Sequence, residues 1–217
     1  SRYQEESAMS LKEQMNQIYG NAPLEKIPWN IQDPPSFLVR VVESGKVTPC
    51  RTVDIGCGVG NYAVWLASKG FQVTGIDVSE KAIEIARDQA QQKGVDCEFL
   101  VGDLVSPDFE PEGVFQFAYD WEVLHHVFPE ERGIYIDNIR KMLEPGGIYF
   151  SVCFSEQDSD FGGEGKYRQT PMNTTLYFSS EEEIRNQLAT GFYIKELHTI
   201  EIAGKYGPHM AVMVLAV

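Results

Sequence analysis

The stretch Val53-Asp54-Ile55-Gly56-Cys57-Gly58-Val59-Gly60-Asn61 constrains the fold more than any other part of the chain, because it ends a short apolar run in three alternating glycines. Glycine takes positive φ without steric cost and lets a ligand touch the backbone where a side chain would stand in the way. The helix expected next, over residues 61–68, would point its unsatisfied N–H groups back at that ligand. Asp54 at the mouth of the turn would repel a pyrophosphate but suits a ligand that carries an ammonium and a sulfonium. The spacing is also G-x-G-x-G, whereas dinucleotide folds use G-x-G-x-x-G.

The remaining signals are in register with an alternation of strands and helices. Residues 71–77 alternate and close on Asp77, as a second parallel strand would. Asp77 follows Gly60 by 17 residues, close to the ~20 at which a carboxylate accepts the ribose hydroxyls of a nucleoside. Its other reading is a cap for the next helix, but Ser79 already fills that role. That helix would bury Ala82, Ile83, Ala86 and Ala90. A third strand is expected over residues 96–104, ending in Gly102-Asp103-Leu104, and a fourth over residues 113–119, followed by Asp120-Trp121-Glu122-Val123-Leu124-His125-His126. Residues 129–143 read as a helix with Tyr135, Ile139 and Met142 inward. Leu143-Glu144-Pro145-Gly146-Gly147 should stop it before a fifth strand over residues 148–154.

The flanks are less regular. Residues 4–19 read as a helix with Met15, Ile18 and Tyr19 on one face, and a second helix should start at Asp33-Pro34-Pro35 with proline in its first turn. Residues 155–176 are polar and glycine-rich, including Gly162-Gly163-Glu164-Gly165, and a loop that long is expected to be a lid or substrate loop. Ser180 to Glu183 matches a capping box. The runs 191–200 and 210–217 are too close in sequence for a parallel crossover, so they should pair antiparallel.

D-x-G-C-G-x-G after a strand resembles the first motif of class I S-adenosylmethionine-dependent methyltransferases. An antiparallel final hairpin on a parallel sheet is the feature that separates that family from the dinucleotide-binding fold. The Pro28-Trp29-Asn30 segment and the proline-started helix are similar to the thiopurine, thiol, halide and tellurite-type small-molecule group. The resemblance implies an α/β, Rossmann-like three-layer sandwich with a mostly parallel seven-stranded sheet, read as one domain over residues 1–217. Residues 1–48 would form a helical cap and residues 155–176 the lid.

It further implies S-adenosylmethionine as cofactor, with S-adenosylhomocysteine as product. The contacts would come from Trp29, Asp54, Gly56, Cys57, Gly58, Gly60, Asn61, Asp77, Val78, Asp103, Leu104, Asp120 and Trp121, with Asp103 accepting from the adenine amino group. Trp29 could equally staple the added helices to the core, and both could hold. Asp120, Trp121 and Glu122 are candidates to border the methyl group. His125 and Asp120 are the catalytic candidates. The adjacent histidines project in different directions, so one would face the pocket while the other packs, and no metal site is expected.

Composition narrows the partners. A net charge of −14 lacks the basic footprint that nucleic-acid binding needs and disfavours an anionic membrane surface. The four cysteines form no C-x-x-C pair and no apolar run approaches the ~20 residues of a membrane span. The expectation is a cytoplasmic enzyme that methylates a small thiol, halide or other nucleophile by in-line displacement. An NAD-dependent oxidoreductase with a similar turn, or a non-catalytic cofactor-binding module, are the alternatives.

Overall fold

The computed structural model describes residues 9–159 and 165–217. Gly162-Gly163-Glu164 and the expected helical residues 4–8 lie outside the described residues. The strands are β1 (Arg51–Ile55), β2 (Gln72–Asp77), β3 (Glu98–Val101), β4 (Phe115–Trp121), β5 (Leu143–Phe154), β6 (Tyr167–Gln169), β7 (Thr175–Tyr177), β8 (Ile194–Ile202) and β9 (His209–Ala216). Seven of them form one sheet in the order β3-β2-β1-β4-β5-β9-β8. The first five pair in parallel, while β9 runs antiparallel to both β5 and β8. This is the expected Rossmann-like sheet with a reversed C-terminal hairpin. Its order reverses between β1 and β4, where the carboxyl ends of two neighbouring strands diverge and open a crevice.

The helices are α1 (Leu11–Asn21), α2 (Ser36–Glu43), α3 (Asn61–Ser68), α4 (Glu80–Gln92), α5 (Pro129–Met142) and α6 (Glu181–Leu188). One apolar cluster packs α2, α3 and α4 against the sheet through Leu38, Val41, Leu66, Ile83 and Ala86. On the opposite face α5 and α6 bury Tyr135, Ile139, Met142, Ile184 and Leu188. A third cluster joins Met15 and Tyr19 of α1 to Ile27, Val59 and Ala82, which sets α1 over the glycine turn. Asn16 Oδ1 accepts from the Ser79 hydroxyl (2.7 Å) and the Lys81 N–H (3.3 Å), tying α1 to the start of α4.

Several boundaries differ from expectation for local reasons. The first described helix begins at Leu11, where Ser10 and Glu13 form a capping box. Pro34 and Pro35 precede α2, with Pro35 as its N-cap and no proline in the first turn. The third strand is confined to Glu98–Val101, so Asp103 sits in the turn beyond it. The fourth runs on to Trp121, which places Asp120 inside the sheet. Residues 143–147 are not merely a stop: Leu143 already pairs with Phe115, and a register shift separates that pair from the rest of β5. The 155–176 loop contains the β6–β7 hairpin.

Candidate functional site

The crevice is a cavity of ≈ 600 Å³ at the carboxyl ends of β1, β2 and β4, roofed by α1 and the segment around Trp29. Three carboxylates from successive strand tips line it: Asp54 from β1, Asp77 from β2 and Asp103 from the turn after β3. Gly56, Cys57, Gly58, Asn61, Val78, Leu104, Trp29 and Trp121 line it as well. The only Lys or Arg side chain among the described lining residues is Lys12, which pairs with Glu80 at 3.0 Å. The described lining therefore favours cations and offers no unpaired Lys or Arg for a pyrophosphate.

The turn is held from below. Ile76 O accepts from both Gly56 N–H (2.7 Å) and Cys57 N–H (3.0 Å), so these two donors serve the turn itself. Gly58 N–H donates to Asp77 Oδ2 and Ser79 N–H to Asp77 Oδ1, each at 2.9 Å, which orients that carboxylate at the cavity wall. Gly58 has φ +55 and a Cβ there would meet Tyr19 Oη at 3.0 Å, so a side chain would close the cavity. Gly60 is different: it does not line the cavity, and its missing Cβ makes room for Phe99 Cζ at 2.8 Å. Its part is to let α3 pack on the sheet.

Asp54 is 3% exposed and accepts from Tyr119 Oη at 2.7 Å. Burial pushes its carboxyl up to about 8, with the Tyr119 bond opposing and the Asp77 and Asp120 charges adding to the shift. Asp77 is raised for the same first reason, offset by the backbone donors of Ser79 and Gly58. Two buried carboxyls, both shifted upward by burial, stand in one wall, and a cation seated there would favour their charged forms. The Cys57 thiol is pushed well up by burial and then by Asp77, so it stays neutral. Asn61 Nδ2 donates to Asn30 Oδ1 (2.9 Å) and Ile31 O (3.1 Å), and its Oδ1 accepts from Gln89 at 2.8 Å. It thus clamps the Trp29 to Ile31 segment over α3. Trp29 Nε1 donates to Tyr19 Oη at 2.8 Å, so Trp29 both lines the cavity and joins the cap.

The expected catalytic pair needs correction. Asp120 is fully buried and does not line the cavity. Side chains alternate along a strand, so with β4 extended to Trp121, Asp120 points at α5 and β5, where Tyr135 Oη (2.6 Å) and Tyr149 Oη (2.5 Å) donate to it. His125 is also withdrawn from the cavity: it stacks on Phe154 at 4.3 Å and its Nδ1 accepts from Phe154 N–H at 3.1 Å. Burial holds it neutral.

His126 is the histidine that reaches the cavity, with a buried Nδ1 that has no hydrogen-bond partner among the described residues. Burial lowers it to about 4. Glu122, Tyr62, Phe128 and Thr175 of β7 line the same cavity. Tyr62 was not distinguished in the sequence, since its position in α3 carries no sign of which face meets a ligand. The turn that bears His126 is pinned by Arg132, a fully buried guanidinium that donates to Val127 O (2.8 Å), Leu124 O (3.2 Å), Ser179 Oγ (2.7 Å) and Gln187 Oε1 (3.1 Å).

The strand order, the reversed β9 and a glycine turn at the switch point define the class I methyltransferase fold. Residues 52–147 match the family described as "Methyltransferase domain". A ubiquinone biosynthesis O-methyltransferase from Caulobacter vibrioides is 33% identical over 144 residues, covering 63% of this chain and 56% of that protein. "Probable thiol methyltransferase 2" from Arabidopsis thaliana is 25% identical over 169 residues, covering 76% and 74%. A crystal structure of a SAM-dependent methyltransferase from Methanosarcina mazei superposes with a TM-score of 0.70 at 25% identity, covering 80% of this chain and 95% of that one. The chain has the class I methyltransferase fold and is similar to S-adenosylmethionine-dependent methyltransferases. It spans 33%, 56% and 61% of the length of three of the curated relatives it matches. No helix among the described residues is long and apolar enough to cross a membrane.

Proposed function

We propose that the cavity binds S-adenosylmethionine and that the protein transfers its methyl group to a small-molecule acceptor, a thiol, halide or other small nucleophile. The observation that carries this is the convergence of Asp54, Asp77 and Asp103 on one cavity whose described lining residues include no Lys or Arg side chain other than the Glu80-paired Lys12. Asp77 accepts the ribose hydroxyls, Asp103 the adenine amino group beside apolar Leu104 and Val78, and Asp54 faces the cationic methionine end. When bound, the cofactor supplies an electrophilic methyl on a sulfonium. The chain's own task is to hold an acceptor lone pair on axis about 3 to 3.5 Å from that carbon.

A small acceptor is supported by enclosure. The cavity volume of ≈ 600 Å³ lies within the range of small-ligand sites. The cap is formed by α1 and the Trp29 segment, and Thr175 of β7 adds to the wall at the acceptor end. The net charge of −14 weighs against a nucleic-acid acceptor.

Thermal shift with S-adenosylhomocysteine and with NAD tests the reading. At a hundred times its Kd a ligand adds about 2.7 kcal/mol, which for a chain of this size raises Tm by roughly 5 to 10 °C. S-adenosylhomocysteine should give that rise and NAD none; the reverse result sinks the proposal.

A further inference from the structure

The geometry points to Glu122 as the group that takes the acceptor's proton, which makes the acceptor a hydroxyl, amine or thiol bearing X–H and removes halides from the class. This rests on the function proposed above. Glu122 is the first residue past β4, and with φ +59 it is one of two described non-glycine residues in the left-handed region. Such a conformation costs on the order of 1 kcal/mol or more and persists only where the surroundings enforce it. They do so here: Glu122 N–H donates to Val152 O at 2.8 Å, and His126 N–H donates to Val123 O at 2.9 Å. Arg132 then holds the carbonyls of Leu124 and Val127.

The reversal brings the Glu122 side chain to the cavity at its reactive end. Val123, the next residue, packs so tightly on the glycine turn that a Cβ at Gly56 would lie 2.4 Å from Val123 Cγ2. Glu122 is thereby fixed beside the part of the turn that faces the methionine portion of a nucleoside whose ribose is at Asp77. Tyr62 of α3 lies near enough for the Glu122 charge to raise its hydroxyl, after burial as the larger cause.

Among the titratable groups that line the same cavity are Asp54 of β1, Tyr62 of α3, His126 of the turn, and Glu131 and Tyr135 of α5. Burial pushes the Glu122 carboxyl up to about 7, against a hydrogen bond from Trp121. That matches the working pH of a general base, whereas His126, lowered to about 4, is too weak a base and stays neutral. In the transfer, the X–H proton passes to the Glu122 carboxylate as the X lone pair forms the new bond to carbon. The carbon–sulfur bond breaks with its electron pair left on sulfur, and Glu122 later yields the proton to water. A halide has no proton to give and would leave Glu122 without a task.

Two measurements decide this. First, 13C-carboxyl NMR of glutamate-labelled protein, with Glu122 assigned by difference from Glu122→Gln, should show a titration near pH 7; a midpoint in the ordinary range of about 4 to 5 overturns the proposal without reference to any acceptor. Second, S-adenosylhomocysteine formation should be followed with phenols, aliphatic thiols and amines beside iodide. Turnover of an X–H acceptor should rise with pH through about 7 and fall about a hundredfold or more in Glu122→Gln, with S-adenosylhomocysteine affinity within twofold of the parent. Turnover of iodide alone, or unchanged turnover in the variant, overturns it. Loss of S-adenosylhomocysteine binding by the parent protein would instead refute the cofactor assignment.

Discussion

In the proposed binding mode Asp54 makes cofactor binding a pH-dependent event whose sign can be worked out. In the free protein its carboxyl is pushed up to about 8, first by burial. At pH 7 about nine in ten molecules therefore carry a proton there. A cation seated against Asp54 favours the carboxylate, so binding below pH 8 must expel that proton. Affinity is then strongest above the free-state value and weakens as pH falls, approaching tenfold per pH unit. Between pH 8 and pH 6 the expected loss is about fiftyfold, provided the bound carboxyl titrates below 6. Isothermal calorimetry with S-adenosylhomocysteine, whose ammonium stays charged over this range, measures both quantities. Repeating it at pH 7 in buffers of different ionisation enthalpy should give close to one proton released per site. Asp54→Asn should flatten the profile, and a Glu122→Gln control separates the neighbour that titrates near 7. A dissociation constant that does not change between pH 6 and 8, with no proton release, would refute the reasoning.

Two further expectations concern the scaffold. Gly60→Ala forces a Cβ to within 2.8 Å of Phe99 Cζ and 3.2 Å of Ala86 Cβ at φ +83; it should cost about 1–3 kcal/mol and lower Tm by roughly 3 to 10 °C, with S-adenosylhomocysteine affinity kept. An unchanged melting curve would show that the contact relaxes freely. Arg132→Met strips Leu124 O and Val127 O of their buried donors, at a cost of about 3–5 kcal/mol. Urea titration reads that loss directly, and a change below about 1 kcal/mol would mean that the carbonyls find other partners.

Much of the architecture follows from local chemistry written in the chain. Alternating apolar residues, Ser79 as a helix cap and the capping box at Ser180 each act over a few residues, and α3, α4 and α6 lie where they indicate. The short link before β9 admits only an antiparallel return, which is how the reversed hairpin was legible. The acidic residues at the strand tips were legible for a similar reason, since local signals end the strands: glycines after β1 and β3, and the Ser79 helix cap after β2. What failed was the length of β4. Its last two residues are held by pairing with Ser151 and Val152 of β5, more than 29 positions away along the chain, and that pairing alone decides that Asp120 faces inward.

The sequence by itself determined that this chain is an alternating α/β fold with a glycine turn and three carboxylates at strand ends, because each of these depends on neighbours in the chain. Only the tertiary structure decided which side chains meet in the crevice. His126 and Glu122 reach it while His125 and Asp120 do not. That choice depends on a backbone reversal at Glu122 held by Val152 and on a turn gripped by Arg132. These contacts join distant elements, and no periodicity along the chain can encode them.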